Sequence, residues 1–229
     1  TGDKLYHDNK KYEDIYISTK KDRKWVNKVN VDSANHFFSS KINTKKHDGV
    51  IGFSDNDEKL YIYQNNGVLV STKKDGKYGK PEELKTVNST GREPSAFLTK
   101  DGKTIFFSSS RKGGKGGLDL YYATQQADGS WSEPVNMSNL NTTLNEDAPY
   151  LSNDGKELFF ASQGHNSVGG YDIFKSTQQE NGKWSKPENV GLTYNSGGDD
   201  IYYIQDSVDN VGYFSSSRAN GYGDVDIYK

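Results

Sequence analysis

The sequence predicts an all-β chain folded as a β-propeller of four-stranded antiparallel blades, five in number, with six as the alternative. Three observations lead there. The aromatic residues Trp25, Tyr78, Trp131 and Trp184 follow one another at intervals of 53 residues. Short apolar runs are separated by Asp-Gly and Asn-Gly pairs, the strongest short-range hairpin signal. No segment sustains an apolar period of 3.6 residues, so almost no helix is expected.

Each unit reads the same way along the chain. A loop opens with Asn-Ser/Thr, and an acid stands five residues after the Asn: Asn43 with Asp48, Asn88 with Glu93, Asn141 with Glu146, Asn195 with Asp200. A short inner strand such as Ala96-Phe97-Leu98 follows, then a tight turn at Asp101-Gly102 or Asp154-Gly155. The second strand is apolar, Ile105-Phe106-Phe107 or Leu158-Phe159-Phe160. A glycine-rich loop leads to the third, which starts Asp14-Ile15-Tyr16, Asp119-Leu120-Tyr121, Asp172-Ile173-Phe174 or Asp226-Ile227-Tyr228. The second repeat departs here, with Gly67-Val68-Leu69-Val70. A further Gly turn precedes the outer strand that holds the repeat aromatic. One such meander cannot bury both faces alone, and radial stacking of successive meanders solves this. The expected organisation is one propeller domain over residues 1–229, with repeats of about 1–41, 42–87, 88–140, 141–194 and 195–229. The segment Asp32 to Lys41 is an insertion that the repeat does not explain.

Composition agrees and excludes several classes. Hydrophobic residues make up only 31% of the chain, yet 16 Tyr and 10 Phe bury much area per residue, as half-buried strands require. Net charge is −2, and only four residues are Arg, so a nucleic-acid partner is not expected. There is no Cys, which removes disulfide and thiolate chemistry. No apolar stretch approaches the ~20 residues that cross a bilayer. His7, His36, His47 and His165 show no zinc spacing, and no Gly-Xaa-Ser-Xaa-Gly elbow occurs. No metal, cofactor or catalytic residue is expected.

The run Asp101-Gly102-Lys103-Thr104-Ile105-Phe106-Phe107-Ser108-Ser109, continuing to Asp119-Leu120-Tyr121, resembles the WD-like repeat of TolB-type propellers, as does the copy from Asp154 to Phe174. The Asn-Ser/Thr-acid linkers and the Trp-Ser-Xaa-Pro strand are similar to a narrower group of OmpA-family envelope proteins of the Bacteroidota. In those, such a propeller sits between a helical repeat domain and a peptidoglycan-binding domain, and some are linked to type IX secretion. The resemblance implies a non-catalytic protein-interaction or scaffold module, periplasmic and associated with the outer membrane, cut from a larger protein. Its partner would be an envelope protein or peptide segment. The alternative is a carbohydrate-active propeller, a glycoside hydrolase or lyase, or a glycan-binding module.

Several residues are candidates for the site. Asp48, Glu93, Glu146 and Asp200, with Asp147 and Asp199 beside them, would ring one mouth of the channel and attract a basic segment; the competing reading is that each carboxylate caps its own loop. Arg92, Arg111 and Arg218 would recognise an anion at the rim, or else pair with the strand-start aspartate of their blade. Those aspartates invite a calcium reading, but one or two carboxylates per loop fall short of six to eight oxygens. Asp32-Ser33-Ala34 and Asp206-Ser207-Val208 are similar to the Asp-Ser/Thr-apolar O-glycosylation pattern of the same envelope proteins, marking Ser33 and Ser207.

Overall fold

A computed structural model of the chain describes residues 4–5, 11–12, 14–21, 24–33, 38–54, 56–206 and 211–229. Among these the architecture is a propeller arrangement with four blades. The first is β5 (Asp48–Phe53), β6 (Lys59–Gln64) and β7 (Gly67–Lys74), with β8 (Lys77–Tyr78) and β9 (Glu82–Glu83) both paired to β7. The second runs in order β10 (Ala96–Leu98), β11 (Thr104–Ser109), β12 (Asp119–Thr124), β13 (Val135–Asn136). The third is β14 (Glu146–Leu151), β15 (Glu157–Ser162), β16 (Asp172–Thr177), β17 (Glu188–Asn189). The last holds three strands, β18 (Asp200–Gln205), β19 (Gly212–Ser216) and β20 (Asp226–Tyr228). All pairings are antiparallel, and the inner strands β5, β10, β14 and β18 neighbour one another in turn. The described helix is one turn, Val31–Ser33.

Five four-stranded blades are not seen. Ahead of the first blade stand two separate two-stranded ribbons, β1 (Lys4–Leu5) with β2 (Lys11–Tyr12), and β3 (Tyr16–Lys21) with β4 (Lys24–Asn30). The Asp32–Lys41 insertion returns to the fold at its end: the Asp32 carboxylate accepts from the backbone N–H of Ile42 and Asn43, and Phe38 packs on Tyr78 at 5.8 Å.

The blades are joined by one asparagine per repeat. Asn141 accepts from the Leu120 N–H at 2.8 Å and donates to the Leu120 carbonyl at 3.0 Å, stapling its loop to the third strand of the preceding blade. Asn88 does the same to Val68, Asn195 to Ile173, and Asn43 to Ile15 in front of β3. Apolar contact completes each junction. The Trp131 indole meets Tyr61 of the blade before it edge-on at 6.3 Å, and Trp184 meets Phe106 in the same way at 6.4 Å. Tyr78 is buried against Phe38 and Phe53. Trp25 pairs with Lys20, but its side chain lies outside the described residues.

The hairpin turns use their predicted chemistry. Gly102, Gly129, Gly155 and Gly182 have φ between 68° and 84°, the left-handed region that glycine enters without penalty. Asp101 and Asp154 accept from a Thr or Ser hydroxyl and a backbone N–H across the turn. Asp128 accepts from both groups of Ser130.

Two outcomes follow for stability. Trp131→Ala should cost about 3–5 kcal/mol, measured by denaturant unfolding; Asn141→Leu, which orphans the buried Leu120 N–H while the Leu120 carbonyl keeps the Met137 N–H, should cost about 1–3 kcal/mol. The side-chain hydroxyls, followed by the turn N–H groups, hold the Asp101, Asp128 and Asp154 carboxyls below their ordinary range. Their folded pKa is therefore below the unfolded one. That stabilisation is present above about pH 3.9, the unfolded value, and is lost as pH falls through the folded values. Replacing the three with Asn should flatten the acid limb of the stability curve and leave the region above pH 5 unchanged in slope.

Candidate functional site

The loop acids are internal fittings of the repeat. Asp48, Glu93, Glu146 and Asp200 are each no more than 3% exposed. Each accepts from the N–H and hydroxyl of the Ser or Thr four residues earlier, Thr44, Ser89, Thr142 and Ser196. A second strand then closes on the same carboxylate: Gln64 at 2.8 Å on Asp48, Ser109 at 2.7 Å on Glu93, Ser162 at 2.8 Å on Glu146. Burial pushes the Asp48 carboxyl up despite these donors.

Two of the three arginines also serve the repeat. Arg111 donates to Ser109 Oγ, to the Val87 carbonyl and to Glu93 at 3.4 Å, with its guanidinium over Phe107 and Tyr121. Arg218 repeats this on Ser216, the Tyr194 carbonyl, Asp200, Phe214 and Tyr228. The ion pair is therefore with the loop acid, in place of the expected strand-start aspartate. The other repeats seal the equivalent carbonyl by other means, His165 Nε2 at 2.9 Å from the Leu140 oxygen and Gln64 donating to Ile42. The strand-start aspartates instead hold the glycine-rich loops. Asp119 accepts from the N–H of Lys115 and Gly116, Asp172 from Val168 and Gly169, Asp226 from Tyr222 and Gly223. Glycine is required where the loop wraps the carboxylate: a Cβ on Gly114 would lie 1.7 Å from Asp119 Oδ2. Among the described residues, no three His, Asp or Glu side chains converge as metal ligands.

What is left facing solvent is one residue earlier. The position immediately before the buried acid holds His47, Arg92, Asn145 and Asp199 in the four blades. Its backbone surroundings repeat: Leu118 N–H donates to Asn145 Oδ1 and Tyr171 N–H to Asp199 Oδ1, both at 2.8 Å. His47, Arg92 and Asp199 are exposed, and no described residue hydrogen-bonds the Arg92 guanidinium. Burial, then the charge of Asp147, raises the Tyr171 phenol well above its ordinary range; Arg92 pulls it down, while Asp199 and Glu146 add to the rise. These groups thus share one electrostatic neighbourhood. Below them a cavity of about 480 Å³ runs between the inner strands, lined from all four blades by residues that include His47, Ser95, Tyr150 and Tyr202.

Asp147 interrupts the symmetry. Gly49, Pro94 and Ile201 occupy its place in the other blades. Its carboxylate accepts from Ser95 and from Ser108 at 2.6 Å, both in the preceding blade. It stands at the β-bulge of its inner strand, a feature of the repeat: Ala148 takes φ 50° there and Tyr202 φ 61° at the equivalent bulge of the next blade, a conformation that costs a non-glycine residue about 1–3 kcal/mol. Sequence reasoning grouped Asp147 and Asp199 with the acids and missed Tyr171. The readable signal was the mismatch of these positions with the rest of their repeat column. Ser33 is exposed at the end of the helical turn, and Ser207 lies outside the described residues.

Glu146→Gln should therefore lower stability by about 1.5–3 kcal/mol, the scale of a hydrogen bond to a charged group. Asp199→Asn should leave it within about 0.5 kcal/mol. Equal losses in denaturant unfolding would place both carboxylates in the framework.

No family model and no curated protein matches the chain. Solved structures do resemble it in fold. TolB from Acinetobacter baumannii aligns over 80% of this chain and 41% of its own, at 13% identity and a TM-score of 0.53. The tricorn protease aligns over 78% of this chain and 20% of its own, at 12% identity and a TM-score of 0.49. The NanB sialidase from Streptococcus pneumoniae aligns over 93% and 34%, at 12% identity and a TM-score of 0.47. The chain spans less than half the length of each.

Proposed function

We propose that this chain is a non-catalytic binding module of the cell envelope, periplasmic and outer-membrane associated, that holds a protein segment at its channel mouth. One observation carries the reading. An identical buried framework presents four chemically different side chains, His47, Arg92, Asn145 and Asp199, at the same place in successive blades. The acids beneath are filled alike in every blade and this position is not, although Asn145 and Asp199 each still accept one backbone N–H. Unlike groups on a rigid scaffold read the features of one partner. Asp199 offers an exposed carboxylate to a basic side chain, and Arg92 an exposed guanidinium to an acidic one. The envelope setting, and any link to peptidoglycan anchoring or type IX secretion, is supported by the likeness of the repeat sequence. No described helix is long and apolar enough to cross a membrane.

The ribbon β3–β4 supports a fifth blade. Tyr16 pairs with Asn30 and Ile17 with Val29, the register in which Tyr121 pairs with Asn136 and Tyr122 with Val135. Asn43 applies the repeat staple to it. We take β3–β4 as the outer half of that blade.

The double variant Arg92→Ala/Asp199→Asn should stay folded and lose its partner in a pull-down from envelope extract, and wild-type recovery should fall as salt rises, since the steering acts over about 8 Å at physiological ionic strength. Undiminished recovery by the double variant would remove the mouth from this role. Polysaccharide hydrolysis by the wild-type chain, abolished by one substitution, would overturn the non-catalytic reading. Glycosylation at Ser33 predicts an intact mass above that of the bare polypeptide in natively produced protein, reduced by Ser33→Ala.

A further inference from the structure

We propose that the groove between blades β10–β13 and β14–β17 is a second site, for a neutral oligosaccharide. It is about 730 Å³, within the range of small-molecule sites, and it lies among outer-strand residues that take no part in lining the channel cavity. Three aromatic rings line it. Phe106 is flanked by Trp184 at 6.4 Å and by Tyr122 at 6.2 Å.

The junction one blade earlier shows what a merely structural groove looks like. There Tyr61 stands where Phe106 does here, and Val70 where Tyr122 does. The Trp131 ring packs edge-on against Tyr61 at 6.3 Å and is buried. The Trp131 ring is absent from the lining of the adjoining cleft, which is smaller, at about 400 Å³. At the later junction Phe106 has no hydroxyl. The Trp184 ring stays partly exposed on the groove wall, and Tyr122 adds a third aromatic where the earlier junction has Val70.

The wall above the rings is polar and almost uncharged. Asn136, Gln178 and Gln179 bring side-chain amides, Thr99 and Thr124 hydroxyls, and Lys183 the one charge. Amides and hydroxyls both donate and accept. Flat aromatic faces with such a wall match a pyranose ring, which is apolar across its C–H face and hydroxylated around its edge. An anionic sugar would need more cationic partners than Lys183 supplies.

The test is titration of the whole chain with maltohexaose, xylohexaose, cellopentaose and N-acetylchitohexaose, followed by tryptophan fluorescence and calorimetry. At least one should bind. Trp184→Ala should weaken that binding at least tenfold. Tyr122→Val, which gives the groove the residue of the earlier junction, should weaken binding severalfold in a protein that keeps wild-type stability. The mouth variant Arg92→Ala/Asp199→Asn should bind sugar as wild type does. Failure of all four sugars at millimolar concentration would overturn the proposal. So would binding indifferent to both groove substitutions, or capture of a proline-rich peptide in place of sugar.

Discussion

The carboxamide of Asn43, Asn88, Asn141 or Asn195 takes both backbone groups of a residue in the strand one repeat earlier, and the rest of each junction is built around that grip. A backbone N–H withdrawn from water needs a partner, and here the Asn oxygen supplies it while the Asn nitrogen joins a backbone N–H on the carbonyl of the same residue. Because the amide is planar, it also fixes how the incoming loop lies on the older blade. The Ser or Thr that follows binds the loop acid, the acid binds the next strand, and a guanidinium, an imidazole or an amide seals the carbonyl just before the Asn. The network is buried and well satisfied, and such a network favours one arrangement over its neighbours.

Much of this was legible in the chain, because a repeat exposes its own rules. The intervals between Trp131, Trp184 and their flanking Gly turns placed the outer strands, and the Asn-Ser/Thr-acid string marked the junctions. Blade number was not legible. It depends on how the segments before Asp48 pair, and β3–β4 stand as a ribbon separate from the full sheets. The loop acids were placed at the mouth because composition cannot tell a carboxylate facing water from one closed in by Ser109 or Ser162. That distinction is made by strands far along the sequence. Arg111 was assigned the wrong acid for the same reason: Asp119 and Glu93 both lie near it in the chain, and only the fold decides that Asp119 is taken by Lys115 and Gly116.

The division between framework and variable positions is sharp. The variable column lies in the loops that lead into the inner strands, one residue before each buried acid. Asp200 is enclosed while Asp199 is exposed, a single step along the chain. Framework demands constrain this column less than the acids, since Asn145 and Asp199 keep only one backbone N–H each, and substitutions at Arg92 and Asp199 can alter what is recognised with little disturbance of the blades. Asp147 is the exception, since it ties two blades and also lies within electrostatic reach of Tyr171.

The staple also has a direction. Each asparagine grips a strand already made, 28 residues back for Asn43, 20 for Asn88, 21 for Asn141 and 22 for Asn195. A blade's third strand is flanked by its own second and fourth strands, yet one buried N–H in it finds its partner only in the repeat that follows. A propeller cut at a blade boundary would leave that N–H unmatched, so each blade is completed by the first loop of its successor.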